Sequence, residues 1–212
     1  MSDVYNDNYF LSRAQNRNHV AYKNDIKFLK DFLPTINSVL DYGCGEMYFT
    51  HYLETISSNV HVYDPSLTIQ EKSEYGTRYI KHNEEFEYDA ICLRGVIQHL
   101  PTPFLTLSRL IRKNLKKNGY LIFLASPNTF SPYYLLNQTL PPLNSELNFW
   151  VPSTVELKKV MRIYGMNHLK TLYPYLKSGY ANPFKDHFNF LRNLLGFKSN
   201  YPFWYSIFNS IF

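Results

Sequence analysis

The sequence predicts an α/β fold with a mostly parallel sheet that is covered by helices on both faces. Short apolar segments typical of buried strands alternate with segments whose apolar residues recur at helical spacing. Strands that are joined by helices pair in parallel, because the helical crossover returns the chain to the same edge of the sheet. At 212 residues, the chain fits one domain with a full hydrophobic core.

The elements can be assigned in chain order. Val20, Ile26, Leu29 and Phe32 predict a first helix that ends before Pro34. Strands are expected at 38–43, 59–64, 77–80, 88–95 and 120–126, and helices at 46–56, 66–76 and 103–117. A helix is then expected at 154–165, a strand at 167–176 and a helix at 186–196, whereas the aromatic residues at the end are left unassigned.

Two features stand out after the fifth strand. Residues 128–152 form a loop that is too long for a simple connection, so we expect it to overhang a functional site. Ser153 or Thr154 is the expected N-cap of the helix that follows, with Glu156 in its first turn and Gly165 at its end.

The composition is typical of a folded protein, with 45% apolar and 18% charged residues. No run of about 18 uncharged apolar residues is present to span a bilayer. The polar amino terminus does not read as a secretory signal, so we expect a cytoplasmic protein. Cys44 and Cys92 lie in apolar strand contexts and not at metal-ligand spacing, so we expect buried thiols and no bound metal.

The net charge of +5 is unevenly distributed. Residues 54–89 hold eight acids and three bases, whereas residues 153–212 hold eight bases and two acids. Three interpretations are open for the aromatic, basic segment 177–212. It completes the core and covers a substrate, or it enters a membrane interface at the inner face of the membrane, or it stacks on RNA bases. The basic residues that would meet anionic lipid head groups are Lys177, Lys185, Arg192 and Lys198.

A glycine-rich turn follows the first strand, at the sheet edge where ligands of such folds bind. Gly43 and Gly45 permit close backbone approach, and Asp64, at the end of the second strand, can accept from two ribose hydroxyls. Dinucleotide binding is disfavoured, because Tyr48 occupies the position of the required third glycine. Asp41 places a carboxylate at the end of the first strand, which suits a cofactor that carries an ammonium group.

Four segments together resemble the class I S-adenosylmethionine-dependent methyltransferases, in particular small-molecule enzymes with a VLxHL-type segment. They are VLDYGCGEMYFTHYL, VHVYDPS, FEYDAICLRGVIQHL and LKKNGYLIFLASPN. The resemblance implies a Rossmann-like fold whose seven-stranded sheet ends in an antiparallel hairpin, and it implies S-adenosylmethionine as cofactor. It divides the chain into an N-terminal helical cap (1–35), a methyltransferase core (36–176) and the aromatic, basic C-terminal segment (177–212) of the same domain.

The resemblance also implies which residues hold the cofactor. Asp41, Gly43 and Gly45 are expected to cradle its methionine part, and Asp64 its ribose. The full expected set is Asp41, Gly43, Cys44, Gly45, Asp64, Pro65, Arg94 and Gly95. The residue that flanks adenine is open, with Ile80, His82 and Asn83 as candidates.

Met47 departs from the family pattern, because it stands where a third glycine is usual. We expect position 47 to lie in the first turn of the following helix, where methionine is a better helix former than glycine. Its thioether would then pack beside the cofactor without blocking the backbone N–H groups.

The acceptor side of the site is expected to include Arg94, His99, Asn128, Tyr9 and Arg13. A neutral imidazole at His99 can remove a proton from an acceptor hydroxyl near pH 7. Arg94 either binds an anionic group of the acceptor or forms a salt bridge within the protein. Asp89, at the start of the fourth expected strand, is interpreted as structural.

O-methylation of a small-molecule or saccharide-linked hydroxyl is the favoured reaction, and the resemblance alone implies a role in polysaccharide biosynthesis. The segment from Leu93 to Val96 lacks the Asn/Asp-Pro-Pro-aromatic pattern of enzymes that methylate nucleobase or glutamine nitrogens. A non-catalytic cofactor-binding module and an RNA-directed methyltransferase remain as alternatives, and DNA is not an expected partner.

Overall fold

A sheet of six strands organises the part of the chain that the structure describes. In this computed structural model, the described residues are 19–65, 86–131, 134–135, 147–174, 182–197 and 207–212. The strands are β1 (Ser38–Tyr42), β2 (Asn59–Tyr63), β3 (Tyr88–Arg94), β4 (Leu115–Pro127), β5 (Lys170–Leu172) and β6 (Ile207–Ile211). Their order across the sheet is β2-β1-β3-β4-β6-β5. The strand expected at 77–80 lies outside the described residues, so a seventh strand stays a prediction.

The sheet is parallel except at β6. β1 pairs in parallel with β2 and β3, and β3 pairs in parallel with β4. β6 is antiparallel to both β4 and β5, which confirms the expected antiparallel pair at the end of the chain. β1 to β5 therefore run in the same direction, so their carboxyl ends meet at one edge of the sheet.

The helices in the described ranges follow the predicted order but not always the predicted length, and the helix expected at 66–76 lies outside these ranges. They are α1 (His19–Phe32), α2 (Thr50–Leu53), α3 (Pro103–Arg109), α4 (Thr154–Ile163) and α5 (Pro183–Leu194). A 3-10 turn, Ile97–His99, follows β3, and a π-helical turn, Leu110–Asn114, follows α3. Ser153 caps α4 as expected, because its hydroxyl accepts from Glu156 N while the Glu156 carboxylate accepts from Ser153 N.

Two helices are shorter than the prediction. The expected helix 46–56 contains one regular turn, α2, because the preceding residues form tight turns. The helix expected at 103–117 ends at Asn114, and β4 begins at Leu115, which pairs with Tyr88. Asn118 has a φ of 64° at the irregular start of β4, so the chain turns inside the strand and not between two elements.

Alternating strand residues build two cores, one on each face of the sheet. On one face Leu40, Ile91, Leu93 and Phe123 pack with residues of α3 and α4. On the other face Val39, Ala90, Cys92, Ile122 and Leu124 pack with residues of α1 and the α2 region. Both faces are therefore covered by helices, as the apolar strands predict.

Asp89 and His61 have structural partners. Asp89 accepts hydrogen bonds from Asn37 N and Ser38 N and pairs with Lys116 at 2.9 Å. Lys116 and these backbone donors lower the pKa of Asp89 to about 2. His61 Nδ1 lies 2.8 Å from the Tyr88 hydroxyl. The structural interpretation of Asp89 is thus confirmed.

The end of the C-terminal segment belongs to the sheet. Phe208 and Phe212 are buried in the core, and β6 lies between β4 and β5. No helix in the described ranges is both long and apolar enough to cross a bilayer.

Candidate active site

The turn after β1 is fixed to the end of β2 by backbone hydrogen bonds. Gly43 N and Cys44 N both donate to Tyr63 O, at 2.7 and 3.1 Å. Gly43 has a φ of 80°, and a Cβ atom on it would collide with the Val96 side chain. Glycine is therefore required at position 43 by the packing of Val96, in addition to any approach of a ligand.

Asp64 holds the same turn from the other side. Its carboxylate accepts from Gly45 N at 2.9 Å, and the side chain is buried at the end of β2. Gly45 and Asp64, which the sequence assigns to one site, are therefore in direct contact. Pro65 follows Asp64 and is exposed.

Met47 does not lie in a helical turn, so that expectation is wrong. Its φ is 59°, in the left-handed region that favours glycine, and α2 begins only at Thr50. Met47 N donates to Cys44 O at 3.0 Å, which closes a tight turn before the helix. The methionine side chain is buried, so the position combines a strained backbone with a packed side chain.

Asp41 is a buried carboxylate beside the turn. Thr50 Oγ1 donates to Asp41 Oδ2 at 2.6 Å. Burial raises the pKa of Asp41 to about 6, although the Thr50 hydrogen bond and the charge of Arg94 oppose this rise. The group can therefore change its charge near neutral pH.

Burial also makes the thiols of Cys44 and Cys92 unreactive, because it disfavours the charged thiolate. Burial, together with the charges of Asp41 and Asp64, raises the pKa of Cys44, and burial raises the pKa of Cys92. Both cysteines stay protonated at neutral pH, which confirms the expectation of buried thiols.

Arg94 forms the internal salt bridge that the sequence left as one of two alternatives. Its Nε atom donates to Asp25 Oδ2, in α1, at 2.9 Å. The guanidinium carbon lies 4.4 Å from the centroid of the Tyr22 ring and 5.3 Å from that of Phe49. The two terminal nitrogens of Arg94 have no hydrogen-bond partner within the described ranges, so they can donate to a ligand.

The salt bridge continues into a buried network. Asp25 Oδ1 accepts from Asn209 Nδ2, in β6, at 2.8 Å. Asn209 Oδ1 accepts from Ala125 N, where β4 has a φ of 49°. Burial raises the pKa of Asp25, and the charge of Arg94 opposes the rise. The network therefore joins α1, β3, β4 and β6 beneath the site.

His99 is oriented by two neighbours. Its Nδ1 atom lies 2.8 Å from Leu147 O, a carbonyl that can only accept, so Nδ1 carries the proton of the neutral imidazole. Nε2 then accepts from Gln98 Nε2 at 3.1 Å. Gln98 Nε2 also donates to Gly95 O, whereas its buried Oε1 atom has no hydrogen-bond partner among the described residues. Gly95 has a φ of 64° and links the end of β3 to Leu124 O through its N–H.

Asn128 organises the start of the long loop. Its buried Oδ1 atom accepts from Phe130 N at 3.0 Å and from Thr154 N at 3.3 Å. These bonds account for an asparagine at this position, and its role toward a substrate stays a prediction. Other expected residues lie outside the described ranges, namely Tyr9, Arg13, Ile80, His82 and Asn83.

The structure thus brings most predicted residues to the carboxyl edge of β1, β2 and β3. Three residues that contact the predicted site residues were not predicted from the sequence, namely Thr50, Asp25 and Gln98. Gln98 could have been found from its position directly before His99. Asp25 could not, because it lies on a helix that is far from Arg94 in sequence. Among the described residues, no group of three or more His, Cys, Asp or Glu side chains is placed to hold a metal ion.

Comparisons with known proteins agree with this geometry. A family model described as a methyltransferase domain matches residues 13–172. A search of curated proteins found no match. Many solved structures share the fold, including an S-adenosylmethionine-dependent methyltransferase from Thermotoga maritima. That structure is 20% identical with a TM-score of 0.61, and the alignment covers 96% of this chain and 95% of that one.

Two further structures are complexes. One is the 1,6-didemethyltoxoflavin-N1-methyltransferase of Burkholderia thailandensis with its substrate and S-adenosylhomocysteine, 16% identical with a TM-score of 0.53 and coverage of 75% and 72%. The other is the plantazolicin methyltransferase BamL with a substrate analogue and S-adenosylhomocysteine, 13% identical with a TM-score of 0.56 and coverage of 94% and 86%. At these identities the similarity establishes the fold.

The backbone at Met47 can be tested with a pair of substitutions. Met47→Gly and Met47→Ala both remove the buried side chain, but only glycine relieves the left-handed conformation. We expect Met47→Gly to be more stable than Met47→Ala by about 1 kcal/mol in urea unfolding. Met161, which is buried in the last turn of α4 and has a helical backbone, provides the matched control. There the order should reverse, with Ala more stable than Gly by about 1 kcal/mol, and the same order at both positions would contradict the turn geometry.

The buried network predicts a second stability effect. Asp25→Ala leaves the Arg94 charge without its partner, so we expect a loss of about 3 kcal/mol in the free energy of unfolding. Asp31→Ala, on the same helix, removes an exposed partner of Lys27 and should cost less than about 1 kcal/mol. Equal, small losses in both variants would show that the Asp25–Arg94 pair does not stabilise the fold.

Proposed function

The chain belongs to the class I S-adenosylmethionine-dependent methyltransferases, whose methyltransferase-domain model its residues 13–172 match, and we propose that it methylates a hydroxyl of a small-molecule or saccharide-linked acceptor. The observation that carries the proposal is the placement of Asp41 and Arg94 beside the Gly43–Gly45 turn. Charges of both signs at this point suit the methionine end of the cofactor, which has an ammonium and a carboxylate group.

Each charged residue then has a defined role toward the cofactor. The Asp41 carboxylate accepts from the ammonium group, directly or through water. The terminal nitrogens of Arg94 donate to the carboxylate, while Asp25, Tyr22 and Phe49 hold the guanidinium in place. Asp64 accepts from the ribose hydroxyls, and Gly45 N fixes the direction of its carboxylate.

The cofactor supplies a methyl group on a positively charged sulfur, which is already a strong electrophile. The protein therefore has to align the acceptor and to remove its proton. We assign proton removal to His99 Nε2, because the Leu147 carbonyl fixes the proton on Nδ1 and leaves a lone pair on Nε2. The acceptor hydroxyl must replace the Gln98 amide at Nε2 or share that atom with it.

The acceptor class rests on the sequence and on its resemblance to the family. A saccharide-linked hydroxyl, a role in polysaccharide biosynthesis and a cytoplasmic location are parts of the same proposal. A small-molecule acceptor, though not the choice of a hydroxyl, is supported by two solved structures. The Burkholderia thailandensis N1-methyltransferase holds 1,6-didemethyltoxoflavin, and the plantazolicin methyltransferase holds a desmethyl plantazolicin analogue.

A second candidate is a module that binds the cofactor without transferring the methyl group. The observation in its favour is that the Gln98 amide already occupies His99 Nε2, the atom that would act as the base. A labelled-methyl transfer assay against a panel of hydroxylated small molecules and saccharides separates the two. Cofactor binding without transfer to any member of the panel would favour the module.

The role of His99 predicts a selective loss of activity. We expect His99→Gln to lower kcat in the transfer assay by about 100-fold or more, because the base is lost. The dissociation constant of the cofactor, measured by calorimetry, should stay within about threefold of the wild-type value. His51→Gln, which changes an exposed histidine on α2, is the control. Unchanged kcat in His99→Gln would require a different base.

Cofactor binding should depend on pH through Asp41. Its pKa of about 6 means that protons compete with the cofactor's ammonium group for the carboxylate below that pH. Affinity should therefore fall as the pH drops, by up to about tenfold per pH unit below 6. The measurement is calorimetry between about pH 5 and about pH 7.5, a range in which the cofactor's ammonium group stays mostly charged.

Asp41→Asn should bind more weakly at pH 7.5 and show a flatter pH dependence. Asp31→Asn, at an exposed position of α1, should keep the wild-type profile. A steep profile that survives in Asp41→Asn would assign the titration to another group.

A further inference from the structure

The segment between β5 and β6, which contains α5, leaves the sheet and returns to it at the edge that carries the candidate active site. β5 and β6 are antiparallel neighbours, yet residues 173–206 separate them, whereas hairpin loops usually have about two to five residues. β5 runs in the same direction as β1, so its last residue, Leu172, lies at the edge that bears the Gly43 turn. The α5 segment is therefore an insertion at the catalytic edge.

Several apolar side chains of α5 and of the residue that follows it are exposed, whereas Phe190 is half-buried. Phe184, Phe188, Leu191 and Leu195 recur at helical spacing, and their exposed fractions are 91%, 61%, 57% and 74%. Asn189, in contrast, is only 7% exposed. The helix thus turns Asn189 and Phe190 toward the protein and an apolar stripe toward the solvent, whereas an ordinary surface helix turns its apolar stripe inward.

Basic side chains accompany the apolar stripe. Lys185 and Arg192 are exposed on α5, and the Arg192 guanidinium lies 5.8 Å from the centroid of the Phe188 ring. The region 153–212 has eight bases and two acids. An apolar stripe flanked by cations is the pattern that binds at the interface of an anionic membrane, where Phe and Leu enter the acyl boundary and Lys and Arg meet the head groups.

We propose that α5 binds to the surface of an anionic lipid bilayer. A second copy of the chain would bring the same positive charge to the contact and be repelled. RNA bases would stack on Phe184 and Phe188 but would gain no stacking from Leu191, Leu194 and Leu195. Charge and apolar chemistry together therefore favour lipid.

The binding does not depend on the proposed methyl transfer. Where both hold, α5 brings the catalytic edge to the membrane surface, so that a lipid-linked saccharide is a fitting acceptor. Methyl transfer to a soluble acceptor without vesicle binding would overturn the membrane proposal alone, and vesicle binding without transfer would leave it standing.

Vesicle co-sedimentation of the full chain tests the proposal. Vesicles of phosphatidylcholine mixed with phosphatidylglycerol should bind the protein, and vesicles of phosphatidylcholine alone should bind it more weakly. The double variant Phe184→Ser/Phe188→Ser should lower the partition coefficient by about tenfold or more, because most of the inserted apolar area is lost. Lys185→Glu/Arg192→Glu should remove the preference for the anionic lipid.

Ile163→Ser is the matched control, because Ile163 is 82% exposed at the end of α4 and lies outside the α5 stripe. This variant should bind vesicles like the wild type. Calorimetry with S-adenosylmethionine checks that every variant is folded.

Two results would overturn the proposal, and two further measurements would then identify the true partner. The wild type could fail to bind anionic vesicles, or the Phe184→Ser/Phe188→Ser variant could bind as well as the wild type. In the absence of vesicle binding, RNA binding with a steep salt dependence would identify nucleic acid as the partner. Self-association that the same variant abolishes, again without vesicle binding, would instead identify a second copy of the chain.

Discussion

The ion pair between Asp25 and Arg94 is the interaction on which the arrangement of the site depends. Both groups are largely removed from water, and a buried charge is costly unless it is paired and hydrogen-bonded. Both oxygens of Asp25 have donors, one from Arg94 and one from Asn209. Asn209 in turn satisfies Ala125 N where the β4 and β6 register shifts. Helix α1 cannot leave the sheet without exposing this set of unsatisfied groups, so α1 is a fixed wall of the site.

How far the sequence predicts this structure depends on the range of each interaction. The short apolar strands, the Ser153 cap and the Gly45–Asp64 relation are carried by local residue types, and all three are present. Met47 was mispredicted because helix propensity was weighed without the tight turn that ends at this residue. β6 was left unassigned because it is short and buries Asn209 and Ser210, which are unusual core residues. The partners of these residues lie far away in sequence, where local patterns carry no information.

For the candidate base, His99, the sequence is also insufficient, because its tautomer depends on a distant residue. The motif around His99 predicts where the imidazole lies, and the structure adds which nitrogen carries the proton. That assignment depends on the carbonyl of Leu147, in a loop 48 residues away. The length of this loop suggested a role at the site, and the structure adds that Leu147 sets the tautomer of His99, the base that we propose. Gln98 adds a second constraint, since an acceptor hydroxyl has to compete with an amide that is held by Gly95 O.

The common direction of the parallel strands explains why the predicted site residues and the insertion with α5 begin at the same edge of the sheet. Parallel strands deliver the Gly43 turn, Asp64, Arg94 and His99 to one edge, and β5 delivers the insertion with α5 to the same edge. The exposed apolar side chains of α5 bury little area within the described part of the chain. At the membrane surface that we propose as its partner, the apolar side chains would leave the water and the basic side chains would stay in it. The proposed binding surface and the proposed site of methyl transfer would then belong to the same side of the sheet.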